Sequence, residues 1–278
     1  MGTPNQDGAK SVRAGRCWEI PAQPSPELLN ALKAGPFAAG DPTQRAARIA
    51  ALRREDVTRP TIFVGAGTCG LGAGAGKTLE AVRKYLDTRA LKADIVEVGC
   101  VGLCSEEPIL DVQLPGRTRL SFGGVSADKV ESLLEQVLVG KIPQDGLLGQ
   151  FRPWREGQNL WERVPFLDEH PFLLPQQRWV LALSGIIDPN SIDEAIACGG
   201  YSAVARTLRE RTPEELCDTV MRSGLRGRGG AGFPTGRKWD FARKSQAEQK
   251  YLVCNADEGD PGAFIDLAVC ESDPHRLL

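Results

Sequence analysis

Three cysteines are spaced so that their thiolates can meet at one site. Cys69 follows the β-rich run Thr61–Val64, while Cys100 and Cys104 flank a tight loop after a second β-rich run. Because thiolates are soft ligands, this group suits an iron–sulfur cluster. Three thiolates leave one iron of a two-iron cluster short of a ligand. The alternative is a set of small apolar side chains packed in a fold that has no cluster.

The second candidate site is the glycine-rich run Gly224–Trp239. Six glycines fall within residues 224–236, and this density argues against a regular helix or strand there. A bare backbone of this kind can lay its N–H groups against a phosphate or a flat ring. Cationic and aromatic side chains lie among the glycines: Arg226, Arg228, Arg237, Lys238, Phe233, Trp239 and Phe241. The run therefore predicts a site for an anionic ligand that carries a ring, rather than a plain surface loop.

A polar segment follows the apolar run Tyr251–Cys254, which predicts a buried strand. Its side chains include Asn255, Asp257, Glu258 and Asp260. Carboxylates and amides at the end of a strand suit a ligand that offers amide and hydroxyl groups, such as a flavin ring or a ribityl chain. Solvated turn residues are the alternative interpretation.

Two shorter motifs imitate nucleotide-binding loops. Residues 65–70 (GAGTCG) satisfy G-x-G-x-x-G after a predicted strand, with Glu97 available at the end of the next strand. The pattern is short and the unit around it is too small for a Rossmann half, so it predicts nucleotide binding weakly. Residues 74–78 (GAGKT) resemble a Walker A loop, but Leu71 stands where that pattern needs glycine.

The periodicity of apolar residues predicts an α/β protein. A strand, a helix, a strand, a hairpin and a helix follow one another between Thr61 and Val139, after a lone helix near Pro42–Arg54. The connector that follows is rich in proline, glycine and charge, and its aromatic residues indicate that it lies against a surface. Further helices are predicted at Ser191–Ala197, Tyr201–Arg209 and Thr212–Ser223.

Composition excludes several classes of protein. The 278 residues carry a net charge of only −2, so the chain lacks the excess of positive charge that is typical of nucleic-acid-binding proteins. No apolar run reaches the length of about 18 residues that a membrane span needs, and the first twenty residues lack the apolar stretch of a signal peptide. Eight cysteines in a chain of this kind indicate free thiols or metal ligation rather than disulfides. We therefore expect a cytoplasmic protein.

The cysteine layout resembles the thioredoxin-like 2Fe–2S ferredoxin family. That family uses C-x4-C after its first strand and C-x3-C after its second. Cys100 and Cys104 match the second pair, whereas Cys69 and Gly74 stand at the first pair, so the resemblance implies a cluster site with one ligand missing. The metal ligands that it implies are Cys69, Cys100 and Cys104.

The runs LRGRGGAGFPTGRKW and CNADEGDPGAF are similar to the FMN- and NADH-binding subunit of complex I and to the diaphorase subunits of NAD-linked hydrogenases and formate dehydrogenases. The resemblance extends from about Thr61 to the end of the chain. It implies a thioredoxin-like ferredoxin domain followed by the N-terminal part of an FMN-binding α/β domain. The residues implied at FMN are Gly227, Gly229, Lys238, Asn255, Asp257 and Glu258, and those implied at NADH are Phe233, Phe241 and Asp260.

This resemblance implies an oxidoreductase subunit that exchanges electrons between NADH and iron–sulfur partner subunits through FMN. No catalytic side chain is expected, because the protein only positions two rings. The 4Fe–4S site of the family would lie beyond Leu278, so we expect a fragment of a longer subunit. A non-catalytic assembly module and a nucleotide-binding protein built on GAGTCG are the alternatives.

The sequence suggests four parts. They are an N-terminal extension (1–60), a thioredoxin-like ferredoxin domain (61–141), a connector (142–176) and an incomplete FMN/NADH-binding domain (177–278).

Overall fold

The computed structural model describes residues 41–247 and 250–278, which form two compact units. The first runs from Glu55 to Asp188, and the second combines the described residues up to Arg54 with Pro189–Leu278. Most of the predicted N-terminal extension, residues 1–40, lies outside the described residues. No helix in the described ranges is both long and apolar enough to cross a membrane.

The first unit contains one five-stranded mixed sheet with the strand order β2-β1-β3-β4-β5. Strands β1 and β2 are parallel, and the remaining neighbours are antiparallel. The strands are β1 (Thr61–Gly65), β2 (Asp94–Val98), β3 (Leu110–Gln113), β4 (Leu120–Phe122) and β5 (Leu147–Gln150). The helices of this unit are α2 (Thr68–Ala73), α3 (Ala75–Thr88) and α4 (Val130–Val137), and α1 (Pro42–Leu52) belongs to the second unit.

Strand β1 lies between β2 and β3 in the sheet, and all five of its residues are buried. Ile62 and Val64 belong to the core that helices α3 and α4 cover. Phe63, on the opposite face, packs with Val96 and Val98 of β2. A strand covered on both faces reads as a continuous apolar run, which is why TIFV was recognisable in the sequence. The predicted α/β fold class is thus confirmed, with the expected order of strand, helix, strand, hairpin and helix.

The connector packs against this sheet, as its aromatic residues indicated. Gln150 of β5 is buried and holds the segment in place: its Nε2 donates to the carbonyl of Val164 at 2.7 Å, and its Oε1 accepts from the Trp161 amide at 2.9 Å. The Trp161 indole N–H donates to the Thr118 carbonyl at 2.8 Å. Strand β5 itself was not predicted, because its four residues contain two glycine or glutamine positions and no clear alternation.

The second unit is helical over its described residues. Besides α1 it contains α5 (Ile192–Ala197), α6 (Ser202–Glu210), α7 (Pro213–Arg222), α8 (Thr235–Lys244) and α9 (Ile265–Ser272). Helix α1 packs on α5 through Ile49 and Ile196. Arg53 donates its Nε to the carbonyl of Ala197 at 2.6 Å, and Arg54 forms an ion pair with Glu194. The four helices expected from periodicity (α1, α5, α6 and α7) are therefore confirmed.

Two expectations for this unit were wrong. Tyr251–Cys254 is neither a strand nor buried: all four residues are exposed, and no described segment pairs with them. Helix α8 starts at Thr235, inside the run that was expected to be irregular up to Gly236. A strand needs a neighbouring strand for its hydrogen bonds, so apolar β-prone composition alone did not produce one here.

Candidate functional sites

The three predicted thiol ligands are brought together in the first unit. Cys69 lies in helix α2, Cys100 follows β2, and Cys104 starts the 3-10 turn Cys104–Glu106. Their Sγ atoms all lie within 4.8 Å of one another, and those of Cys100 and Cys104 are 3.9 Å apart. Residues separated by up to 35 positions therefore present one compact thiol group.

The surroundings of the thiols differ. Burial raises the pKa of the Cys100 thiol, although the N–H of Gly102 donates to its Sγ at 3.2 Å and opposes that shift. The pKa of Cys69 is also raised, chiefly through its hydrogen bond with the Cys104 thiol. Cys69 and Cys104 reach solvent, whereas Cys100 is buried. The group is thus open on one side and closed on the other.

The missing fourth cysteine is replaced by Gly74, which ends helix α2 in a left-handed conformation with a φ of 107°. A glycine offers no side-chain ligand, so this chain supplies three thiolates where a two-iron cluster held by cysteines alone needs four. The donor set does not fit a 2Fe–2S cluster with four thiolate ligands.

The two nucleotide-like motifs have structural roles. A Cβ added to Gly70 would lie 2.2 Å from the Gly65 carbonyl oxygen, so this glycine allows helix α2 to approach β1 closely. The Thr78 hydroxyl, in the Walker-like segment, is buried and donates to the Val125 carbonyl at 2.7 Å. Lys77 beside it is exposed. These residues serve the packing of helices α2 and α3.

In the second unit the glycine-rich run forms a closed loop between helices α7 and α8. Its two ends are joined by backbone hydrogen bonds, from Gly227 N to Phe233 O at 2.9 Å and from Thr235 N to Leu225 O at 3.0 Å. The Arg226 guanidinium donates to the Gly232 carbonyl inside the loop at 2.8 Å. The loop therefore has a defined shape without an apolar core of its own.

The start of helix α8 adds to the anion-binding character of this loop. Pro234 precedes the helix and no side chain caps its first turn, although the first helical N–H, that of Thr235, already donates to the Leu225 carbonyl. Unpaired N–H groups and the helix dipole favour an anion at such an end. Lys238 lies in the first turn and is exposed, and a Cβ added to Gly229 in the loop would meet nothing within 4 Å. The start of helix α8 therefore combines backbone N–H groups, the positive charge of Lys238 and free space beside Gly229 in which a ligand can lie.

Aromatic side chains flank the same loop. The rings of Phe233 and Phe241 are tilted at 43° with their centroids 6.4 Å apart, and both side chains are about half exposed. The Arg237 guanidinium lies 5.5 Å from the Phe241 ring centroid. Exposed rings beside an anion site are suited to stacking against a nucleotide base or a flavin.

The polar segment is organised locally. Asn255 Oδ1 accepts from the Asp257 N–H at 2.9 Å. Glu258 caps helix α9 by accepting from the N–H groups of Asp266 at 2.7 Å and Leu267 at 3.0 Å. Asp260 is exposed. Within residues 41–247 and 250–278, no hydrogen bond or ion pair joins this segment to the glycine-rich loop, so polar contacts do not link the two halves of the predicted FMN site.

One residue beside the thiols was not found from the sequence. Glu107 is partly buried, and burial is the largest cause that raises the pKa of its carboxyl group, whereas the neighbouring Cys100 thiol lowers it. The only signal was its place three residues after Cys104, in a run of two glutamates before a proline.

Residues 220–278 match the family described as the Nuo51 FMN-binding domain. This match confirms the resemblance read from the glycine-rich run and the polar segment.

Three relatives extend the comparison. The NADP-reducing hydrogenase subunit HndC of Solidesulfovibrio fructosivorans is 61% identical over 94 residues, covering 34% of this chain and 19% of that protein. A subunit of NADH-quinone oxidoreductase from Rhizobium meliloti (strain 1021) is 56% identical over 82 residues, covering 30% and 20%. The NAD-reducing hydrogenase HoxS subunit alpha of Cupriavidus necator is 28% identical over 188 residues, covering 66% and 27%.

The chain therefore spans between 19% and 27% of the length of these relatives. Among solved structures, a thioredoxin-like [2Fe-2S] ferredoxin from Aquifex aeolicus aligns with 36% of this chain and 99% of its own, at 17% identity and a TM-score of 0.31.

Proposed function

We propose that this chain is part of an oxidoreductase subunit that binds FMN and exchanges electrons between NAD(H) and iron–sulfur partner subunits. The observation that carries the proposal is the closed glycine-rich loop at the uncapped start of helix α8, beside Lys238 and two exposed rings. The names of the relatives, which include NADH-quinone oxidoreductase and NAD-reducing hydrogenase subunits, support the same activity.

Each feature of the loop has a role in this proposal. Gly227 and Gly229 let the backbone approach the ribityl chain, since neither carries a Cβ. The exposed ammonium group of Lys238 and the N–H groups that follow Thr235 in the first turn of helix α8 bind the phosphate. Asn255, Asp257 and Glu258 bind the polar edge of the flavin, and Phe233, Phe241 and Asp260 contact the nicotinamide nucleotide.

In this proposal the protein holds the flavin and the nicotinamide in position and supplies no acid or base. The FMN that the loop and the polar segment would hold would supply a hydride acceptor for NADH and a donor of single electrons. The residues of the loop hold the phosphate and leave the ring accessible, and Phe233 and Phe241 provide flat surfaces on one side. We assign no catalytic side chain for this reason.

The same proposal includes the partners of the protein, its location in the cell and its division into domains. The partners are iron–sulfur subunits of an assembly of the hydrogenase, formate dehydrogenase or complex I type, and the location is the cytoplasm. The division into an extension (1–60), a ferredoxin domain (61–141), a connector (142–176) and an FMN/NADH-binding domain (177–278) remains part of the proposal.

A single substitution tests the loop. Gly229→Ala is compatible with the fold, because the added Cβ meets nothing within 4 Å and the residue does not have a left-handed φ. If the ribityl chain lies against this backbone, the methyl group costs about 1–3 kcal/mol of binding, which raises Kd by about 5- to 150-fold. The measurement is quenching of FMN fluorescence on titration with the full chain.

The matched control is Gly72→Ala, which also adds a Cβ in open space but lies in helix α2 of the other unit. It should leave FMN affinity unchanged. A wild-type chain that binds no FMN, or a Gly229→Ala chain that binds it as tightly as wild type, would contradict the proposal.

A docking role is the second candidate, and one observation favours it. Tyr251, Leu252 and Val253 are exposed to 84%, 100% and 81%. A run of apolar side chains on a surface is typical of a segment that another chain covers. An assembly module predicts stable co-purification with partner subunits but no NADH–ferricyanide activity in the purified complex, whereas the oxidoreductase predicts both.

A further inference from the structure

We propose that Cys69, Cys100, Cys104 and Glu107 form a binding site for one zinc ion rather than for an iron–sulfur cluster. The site lies in the first unit and involves no residue of the glycine-rich loop. A test of this zinc site is therefore independent of the proposed FMN-dependent activity.

The distances between the thiols suit a single ion. A tetrahedral zinc site with zinc–sulfur bonds of about 2.3 Å has sulfur–sulfur edges of about 3.8 Å. The Sγ atoms of Cys100 and Cys104 are 3.9 Å apart, and Cys69 completes a triangle in which every side is within 4.8 Å. Small side-chain rotations bring all three thiolates onto one tetrahedron.

The same distances argue against two irons. In a two-iron cluster each iron takes two terminal ligands, and ligands on opposite irons are separated by the iron–iron axis as well as by two metal–sulfur bonds. Three thiolates gathered around one point are one more than the two terminal ligands that a single iron of such a cluster takes. The position of the fourth cysteine is occupied by Gly74, so the second iron has no thiolate pair.

We assign Glu107 as the fourth ligand, and its carboxylate must turn toward the three sulfurs when zinc binds, because it lies outside the group of atoms that are all within 4.8 Å of one another. Its Oε2 lies 3.1 Å from where a Cβ on Gly65, or on Gly70 next to Cys69, would stand, and its carboxyl group is near enough to the Cys100 thiol for that thiol to lower its pKa. The carboxylate therefore lies against the backbone of Gly65 and Gly70, where a Cβ on either residue would crowd it. Carboxylate oxygens bind zinc at about 2.0–2.2 Å, and a set of three sulfurs and one oxygen is compatible with tetrahedral zinc.

Contacts outside the ligand set hold the site in shape. The Glu107 Oε2 atom accepts from the Ile109 N–H at 2.8 Å, which orients the carboxylate. The Gly102 N–H donates to Cys100 Sγ at 3.2 Å, and Arg178 Nη1 donates to the Val101 carbonyl at 2.8 Å. Hydrogen bonds of this kind orient metal ligands and reduce the cost of ordering the site.

The test uses the full chain, reduced and freed of metal with a chelator. Zinc is titrated in competition with a chromogenic chelator, and Co²⁺ is added separately because its absorption reports tetrahedral coordination and thiolate ligands. We expect one ion per chain and a tetrahedral thiolate–cobalt spectrum. Anaerobic treatment with iron and sulfide is the parallel arm, and formation of a stable species with two irons and two sulfides per chain would overturn the proposal.

Variants test the ligands one by one. Cys104→Ser should lower zinc affinity by at least tenfold and weaken the thiolate–cobalt bands, whereas Cys254→Ser, which removes an exposed thiol far along the chain, should change neither. Unchanged zinc affinity in Cys104→Ser would overturn the site.

Two substitutions, one at Glu107 and a control at the neighbouring Glu106, test the fourth ligand. Glu107→Gln should lower zinc affinity by about tenfold or more, in line with the loss of a ligand or of its immediate support, while Glu106→Gln, one residue earlier, should leave it unchanged. Equal zinc affinity in the two variants would overturn the assignment of Glu107.

Discussion

Asp111 of strand β3 and Arg119, the residue directly before strand β4, form a buried ion pair. The Arg119 Nε donates to Asp111 Oδ2 at 2.8 Å, and a terminal nitrogen of the same guanidinium donates to the Gly185 carbonyl at 2.8 Å. The guanidinium lies over Phe63 at 3.6 Å and over Phe151 at 4.6 Å from the ring centroids. Burial raises the pKa of Asp111, and the Arg119 charge opposes that shift. The pair therefore links strands β3 and β4 to the segment that ends the first unit.

This pair gives the first prediction. Asp111→Ala leaves the Arg119 charge buried without its carboxylate, so we expect the first unit to lose about 3–5 kcal/mol of stability. Asp94→Ala is the control, since the Arg59–Asp94 pair is about half exposed and should contribute about 1 kcal/mol or less. Hydrogen exchange of the β1 and β3 amides measures both. Similar losses in the two variants would contradict the structural role of the buried pair.

The second prediction concerns the support of the glycine-rich loop. A Cβ at Gly236 would lie 2.5 Å from the Met221 nitrogen and 2.8 Å from its Cα. Helices α7 and α8 must then separate, so Gly236→Ala should destabilise the second unit by about 1–3 kcal/mol and disturb the loop between them.

Thermal unfolding and protease sensitivity of the loop measure this effect. Gly76→Ala in helix α3 is the control: its Cβ meets nothing within 4 Å, and alanine favours a helix over glycine by about 0.5–1 kcal/mol. We expect the control to be as stable as wild type or slightly more so. A Gly236→Ala chain with unchanged unfolding would mean that the helices are not in close contact.

The third prediction uses thiol reactivity. Burial raises the pKa of Cys198 to about 12, whereas Cys254 is exposed. Alkylation requires the thiolate and access to it, so at pH 8 iodoacetamide should modify Cys254 readily and Cys198 hardly at all. Peptide mass mapping measures the two rates, which should become similar in urea. Equal rates in the folded chain would contradict the burial of Cys198.

The fourth prediction concerns the charge at the start of helix α8. If Lys238 binds the FMN phosphate, Lys238→Met should weaken FMN binding by about tenfold and make the affinity less dependent on salt. Lys77→Met, which removes another exposed first-turn lysine, should have no effect. The measurement is a set of FMN titrations at low and high ionic strength. An identical salt dependence in wild type and Lys238→Met would remove Lys238 from the site.

The order of the main elements could be predicted because their signals are local. Strand β1 is covered on both faces and therefore reads as an unbroken apolar run, and helix α1 shows helical spacing of its apolar residues. The three thiols could also be grouped in advance, since Cys100 and Cys104 share one loop and β1 and β2 pair in parallel. Tyr251–Cys254 has an equally clear apolar pattern, yet it forms no strand in the described structure because no strand pairs with it.

The amino-acid sequence by itself determined the donor types: three thiols with Gly74 in place of a fourth, and a glycine-rich run that carries cations and rings. Only the tertiary structure decided which other groups join them. It places the Glu107 carboxyl beside Cys100 and closes the glycine-rich loop at the uncapped start of helix α8. Spacing along the chain is read directly, whereas a contact between a carboxylate and a thiol depends on how turns and helices pack, which local patterns do not encode.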